Sequence, residues 1–345
     1  MCTNLVGKTL SEIEAAIVEF GEARYRARQI YAGMYRRLWR DWDQFTDLGK
    51  PLREKLHARF CIEYPKIIQT FVSRDGTRRC LFDIGPGQRI EAVFIPEESR
   101  DTICVSTQVG CAVGCLFCAT GRMPMQRNLS AGEIVGQVLS LAADRGAETK
   151  RLNIVIMGMG EPLNNYENVM SALRLMSCVE GMSISSRRIT LSTAGIVPGI
   201  ERLIGETVKP NLAISLNAST DATRDLLMPI NRKWNIATLL DVCRRFSIVE
   251  RRRITIEYVL IGGVNDSIED ARRLVRVLGD LKHKVNLIPL NPNPALAFVP
   301  SAPERVEVFA RTLADHCVTA SIRRSRGGDI AAACGMLAAR ESSGM

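Results

Sequence analysis

The sequence predicts an α/β fold: an open, partial (β/α)6 barrel of the TIM-like kind, preceded by a small helical accessory domain and a β-meander extension. Three observations predict it. From Asp101 onward, short apolar runs alternate with amphipathic stretches of helical period, the pattern of repeated βα units in a parallel sheet with helices outside. About six such units are too few to close an eight-stranded barrel, so an open one is expected, with ligands at the C-terminal ends of its strands. Ahead of them the rhythm changes twice, from helical spacing to strict alternation. The expected organisation is residues 1–70 as a basic helical accessory domain, 71–100 as a meander extension, 101–325 as the barrel core and 326–345 as a C-terminal segment.

In chain order, SEIEAAIVEFG and ARYRARQIYAGMYRRLW have the apolar spacing of helices. Between Phe20 and Phe60 ten Lys or Arg stand against five Asp or Glu, and Arg24, Arg26, Arg28, Arg36, Arg37 and Arg40 interleave with Tyr25, Tyr31, Tyr35 and Trp39. Such a mixture suits phosphate pairing and base stacking, or a solvated basic face over an aromatic core. IIQTFVS, RRCLFDI and RIEAVFIP follow, separated by the turn formers RDGT and GPGQ, and read as a meander. The barrel strands are expected at TICVST, LNIVIM, RITLST, NLAISL, ITIEYVL, KVNLIPL and VTASIR. Helices are expected at about 130–144, 164–177, 221–228, 235–249, 267–280 and 302–315, the first opened by a Ser130–Glu133 capping box.

The totals narrow the class. The 345 residues are 46% hydrophobic and carry a net charge of +9, an excess that favours a polyanionic partner. No apolar run approaches membrane-spanning length. MCTNLVGKTLSEIEAA has no secretory pattern, and eleven cysteines without one suggest a reducing, cytoplasmic setting with thiol or metal chemistry. Cys111, Cys115 and Cys118 form C-x3-C-x2-C directly after strand TICVST. Three thiolates hold three corners of a cubane iron–sulfur cluster and leave the fourth iron open to a substrate, whereas structural zinc takes four protein ligands. The alternative is a zinc-stabilised RNA-binding module without catalysis, completed by a distant Cys or His; with only His57, His283 and His316 in the chain, histidine help is scarce.

The triplet, with Phe117 before its last cysteine, resembles the radical S-adenosylmethionine superfamily. IEAVFIPE, the run from CVSTQVGCAVGCLFCATG to RNLSAGEIVGQV, MGMGEPLNN, RRITLSTAGIVP, LAISLNAS, LMPINRKW, EYVLIGGVND, KVNLIPLNP and DIAAACGML narrow it. Together, over about residues 85–338, they resemble the adenine-C2 RNA methyltransferases (the RlmN type), related to the C8 (Cfr) type. The resemblance implies a [4Fe-4S] cluster on Cys111, Cys115 and Cys118, whose open iron chelates S-adenosyl-L-methionine. One-electron cleavage then yields a 5′-deoxyadenosyl radical. Two S-adenosylmethionines are used per turnover. Cys334 matches the cysteine that takes a methyl group from the first and adds it, after hydrogen abstraction, to C2. Cys104 matches the cysteine that resolves the resulting protein–RNA adduct through a transient disulfide. Glu91 matches the general base that removes the C2 proton.

Cofactor contacts are implied at successive strand ends: Gly160, to let backbone approach the ligand, and Glu161, to accept from its ammonium group, then Ser192, Ser215, Leu216, Asn217 and Asn291. The chain departs from the family at Asn217, where His is common, and in GRMPMQRNL, which lacks the usual Gly-Phe. Implied substrates are an adenosine in the peptidyl-transferase region of 23S rRNA and the adenosine 3′ of the anticodon in tRNAs, or the C8 isomer of the same reaction. A one-electron reductant such as flavodoxin, a monomeric state and no membrane partner complete the expectation. Arg251–Arg253 and Arg323, Arg324 and Arg326 are candidates for the RNA path. Cys2, Cys61, Cys80, Cys178, Cys243 and Cys317 match no motif and read as core or incidental thiols.

Overall fold

The computed structural model describes residues 2–143, 151–293 and 296–338. The basic N-terminal unit comprises β1 (Thr3–Asn4), α1 (Leu10–Glu19), α2 (Tyr25–Tyr35), α3 (Lys50–Arg59) and β2 (Phe60–Cys61), with β1 pairing parallel to β2. Thr9 caps α1 in a full capping box with Glu12. The second helix stops at Tyr35, short of the expected RRLW. Leu38 takes a left-handed φ of 60°, the Trp39 amide returns to the Gly33 carbonyl at 2.9 Å, and the Trp39 ring packs edge-on against Phe45, centroids 5.0 Å apart. Tyr31 and Tyr35 are buried core, so no base can stack on them. Exposed Arg24, Arg28, Arg36, Arg37 and Arg40 carry the basic face instead, with Arg37 over Trp39 and the half-buried Arg26 over Tyr25.

The meander is β3 (Lys66–Val72), β4 (Arg78–Asp83) and β5 (Arg89–Pro96). The barrel strands are β6 (Arg100–Cys104), β9 (Arg151–Ile156), β10 (Ile189–Thr193), β11 (Asn211–Ser215), β12 (Ile254–Leu260), β13 (His283–Pro289) and β14 (Ala320–Ile322), while β7 (Gln108–Val109) and β8 (Arg127–Asn128) form a separate small hairpin. Among the described residues one sheet runs β14-β13-β12-β11-β10-β9-β6-β5-β4-β3. Pairing is parallel from β14 to β6 and antiparallel from β6 to β3, so the meander continues the barrel wall. Its two ends, β14 and β3, do not meet. The outer strand β3 carries a register shift between Ile67 and Gln69, and β14 is only three residues long.

Crossovers are made by α4 (Ala131–Ala143), α5 (Tyr166–Ser177), α6 (Val197–Ile204), α7 (Asp221–Leu227) with α8 (Ile236–Glu250), α9 (Ile268–Leu278) and α10 (Pro303–Asp315). Each expected helix is present, and Ser130 and Glu133 bond reciprocally at the start of α4. The helix α6 was not among the expected ones; Pro198 and Gly199 stand in its first turn. Proline in a first helical turn is tolerated, since the amide it lacks would go unpaired there anyway. Apolar faces of both units merge into one core that runs from Leu5 to Leu337.

A candidate radical cofactor cleft and a transfer cavity

The C-terminal ends of the parallel strands surround a cleft of about 980 Å³ lined by Cys111, Cys115 and Cys118 on one side and by Gly160, Glu161, Ser192, Ser215, Asn217 and Asn291 on the others. The loop carrying the triplet is fixed from outside. Leu116 N donates to Leu227 O at 3.0 Å, and Gly121 N returns to Cys118 O at 3.1 Å. The approach to it from β6 is held by the MGMG segment after β9: Thr107 N and Gln108 N both donate to Met159 O, and Glu161 N donates to Gln108 Oε1. Gly160 has φ +101°, and a Cβ there would come within 2.6 Å of Gln108 Cβ. The glycine therefore serves close backbone-to-loop contact as well as facing the cleft.

Burial pushes the Cys111 thiol up to about 11 and raises Cys115 and Cys118 too, with neighbouring thiols and Glu161 adding at Cys111 and Cys115. Three crowded thiols that resist ionisation are stabilised as thiolates by a bound cationic group. Among the described residues, only Cys2, Cys61 and Glu63 bring metal-ligating atoms within 4.8 Å of one another. The triplet sulfurs are not all within 4.8 Å of one another, so at least one pair stands wider than the roughly 3.8 Å that two Zn–S bonds of about 2.3 Å impose at a tetrahedral centre. The donor set and its spread fit a cubane cluster, not one zinc, and the polar strand ends beside it fit an amino-acid-bearing cofactor.

The polar contacts differ from expectation in detail. Both Glu161 oxygens already accept backbone amides, Oε1 from Leu163 and Oε2 from Ala194, and burial lifts its carboxyl to about 6 despite them. Leu216 does not line the cleft; it is fully buried and its carbonyl accepts from Arg224 Nε at 3.0 Å. Asn217 adopts φ 58°, which Asn tolerates, and its Oδ1 accepts from Val259 N while Nδ2 donates to Met228 Sδ. Its amide thus braces neighbouring strand ends where a longer ring would need other room. Sequence reading missed Glu257, which lines the cleft and accepts from Ser192 Oγ at 2.5 Å and Ser215 Oγ at 3.0 Å. A lone charge within ITIEYVL was the available signal. It also missed the fully buried Arg224, which ties the carbonyls of Leu216, Ala194 and Ser215 together; a polar helix start gave no signal.

A second cavity of about 610 Å³ adjoins the first and is lined by Cys104, Arg323, Ser325 and Arg326. Cys334 lines both. It lies on residues 323–338, which leave β14 and pass over the strand ends as a strap. Asp329 accepts from Ser73 Oγ at 2.6 Å, Gly327 N donates to Asp75 Oδ2, Asn291 Nδ2 donates to Cys334 O at 3.0 Å, Ala119 N to Gly335 O at 2.8 Å and Thr120 Oγ1 to Leu337 O at 2.6 Å. Burial pushes the Cys104 thiol up to about 12; the Cys334 thiol adds to this and the Arg323 guanidinium opposes it. Every described cysteine is a free thiol.

Glu91 lines neither cavity. It is fully buried on β5, ion-paired with Arg79 and accepting from Ala338 N at 3.0 Å through Oε2. Of the basic clusters, Arg323 and Arg326 face the second cavity. Arg251 instead ends α8 in a left-handed conformation, and Arg252 donates to the Lys209 carbonyl. Residues 339–345 lie outside the described chain.

The Radical SAM superfamily pattern matches residues 105–275, and that of the ribosomal RNA large subunit methyltransferase N-terminal domain matches residues 3–62. The dual-specificity RNA methyltransferase RlmN of Geobacter sulfurreducens is 49% identical over 97% of this chain and 91% of its own length. The protein named dual-specificity RNA methyltransferase RlmN 2 from Myxococcus xanthus is 51% identical over 93% of this chain and 86% of its own. The crystal structure of a radical SAM methyltransferase from Sphaerobacter thermophilus superposes with a TM-score of 0.94 at 46% identity, covering 98% of this chain and 100% of that one.

Proposed function

This chain belongs to the RlmN family of radical S-adenosylmethionine RNA methyltransferases, and on that premise we propose that it methylates C2 of an adenosine in the peptidyl-transferase region of 23S rRNA and of the adenosine 3′ of the anticodon in tRNAs. The observation that carries the residue roles is the position of Cys334, which borders both the cysteine-triplet cleft and the cavity of Cys104. C2 of adenine lies between two ring nitrogens and is too electron-poor to attack a sulfonium methyl directly. When bound on Cys111, Cys115 and Cys118, a [4Fe-4S] cluster with S-adenosylmethionine supplies the methyl carbon and the one-electron chemistry that C2 requires.

The chain's own residues do the rest. Gly160, Glu161, Ser192, Ser215, Asn217 and Asn291 orient the cofactor, with Glu257 setting the two serine hydroxyls. Cys334 carries the methyl carbon on sulfur and presents it to C2. Glu91 takes the C2 proton, which requires its Oε2 to give up the Ala338 amide, so the end of the strap must lift from β5 as RNA enters. The Cys104 thiolate then attacks the Cys334 sulfur. An S–S bond forms as the S–C bond to the base breaks, and the electron pair leaves with the methylene carbon, which takes a proton. The nearby Arg323 guanidinium favours the Cys104 thiolate this step needs. Residues 1–70 and the Arg323, Arg324 and Arg326 cluster bind RNA phosphates, so affinity falls with salt. The enzyme acts as a cytoplasmic monomer with a flavodoxin-like reductant.

Cys104→Ala tests the reading. It leaves carbon transfer intact but blocks release, so RNA is recovered covalently bound to the purified protein. Cys334→Ala in the same background abolishes the adduct; RNA still trapped there sinks the assigned attachment point, and 8-methyladenosine in the products of the unmodified enzyme sinks the C2 assignment.

A further inference from the structure

In the N-terminal unit, outside the lining of the cleft, Cys2, Cys61 and Glu63 place two thiol sulfurs and a carboxylate oxygen all within 4.8 Å of one another. No motif pairs these cysteines, but β1 and β2 bring them together. Their parallel register sets Thr3 beside Phe60 and Asn4 beside Cys61. Leu5 N donates to Cys61 O at 2.9 Å. The Asn4 side chain then clamps the Glu63 backbone from both sides, Nδ2 donating to Glu63 O at 2.9 Å and Oδ1 accepting from Glu63 N at 3.1 Å. Two segments nearly sixty residues apart are thus held in register by backbone bonds on either side of the three side chains.

Two thiols and a carboxylate held this close become mutually stabilising once a cation replaces the thiol protons. Two thiolates and a carboxylate are a zinc-class donor set, and the tetrahedral S···S separation of roughly 3.8 Å fits inside the observed spacing.

We propose that Cys2, Cys61 and Glu63 bind one thiophilic divalent cation of the zinc class, with water completing the shell on the exposed side. Glu63 also lines a surface pocket with Ser130, Gly132 and Glu133 at the start of α4. The ion therefore staples β1 to β2 where the helical unit meets the barrel, a structural role separate from the reaction in the cleft.

The test uses full-length, cluster-loaded enzyme prepared anaerobically, so that the triplet is already occupied. After exposure to zinc sulfate and desalting, the expected result is one zinc per chain beyond the cluster iron, with two sulfur neighbours at about 2.3 Å in zinc-edge X-ray absorption. Cys2→Ser and Cys61→Ser each lower zinc affinity at least tenfold while cluster iron content stays unchanged. Cys2 is exposed, so its variant carries the test if Cys61→Ser fails to fold. The proposal is overturned by equal zinc retention in the Cys2→Ser variant, by a zinc shell without sulfur, or by a Cys2–Cys61 disulfide in the anaerobically prepared chain.

Discussion

Cys111, Cys115 and Cys118 lie within eight residues of a single loop, whereas Cys104 and Cys334 are 230 residues apart and meet only because a strap folds back over the strand ends. The loop is pinned by a backbone bond to Leu227, and the segment leading into it by backbone bonds to Met159. The strap is held by polar bonds to Ser73, Asp75, Ala119, Thr120 and Asn291, most of them made through side chains. A cluster must keep its ligands fixed through every turnover. A carbon carrier must approach the cofactor, then the base, then its resolving thiol. The difference in tethering follows that division of labour.

The largest effect expected from breaking this contrast is at the loop. Cys115→Ala loses cluster iron and all methylation, read by iron content and by mass spectrometry of adenosine; normal iron in that variant breaks the ligand assignment. Next, Asn291→Ala releases the Cys334 carbonyl and one cleft contact. It slows methylation about tenfold, the worth of one hydrogen bond of about 1.4 kcal/mol, with iron content unchanged. Asp329→Ala frees the strap from the meander turn. Hydrogen exchange over 326–338 then speeds several-fold while residues 110–121 keep their protection; equal loosening of both would erase the distinction between them.

The smallest effect is at Asp75. Burial acts to raise its carboxyl, but hydrogen bonds from Thr77, Gly327 and Ser73 outweigh it and hold it at about 2. A depressed carboxyl contributes stability that is present above its unfolded value of 3.8 and lost as pH falls toward 2. The stability gap between the parent and Asp75→Asn, from urea unfolding of cluster-free protein, is therefore full near neutrality and closes between about pH 4 and 2. Because the group is partly exposed, the gap stays under about 1 kcal/mol.

The same contrast explains what could be read in advance. The triplet and the barrel strands were legible because their information is local: fixed thiol spacing, and β-branched runs alternating with helical periods. The helix α6 was hidden by Pro198 and Gly199, and β1 and β2 are two residues each, too short to show a period. The bracing of Glu161 by Ala194 and the meeting of Cys2 with Cys61 are contacts between segments distant in the chain, and the pairing of Glu91 with Arg79 depends on strand register. Motif resemblance pointed to Glu91 and Cys334 but could not reveal that Glu91 sits beneath the strap's last described residue.

An open barrel leaves two rows of unpaired backbone groups at its borders, and such rows template strand addition by other chains. Here β14 offers three residues, and β3 is broken by its register shift at Ile67/Gln69 and begins at Lys66. Neither border presents a long, regular ladder. The wall can remain unclosed, leaving space for a folded polynucleotide, without inviting the protein to polymerise along its own sheet.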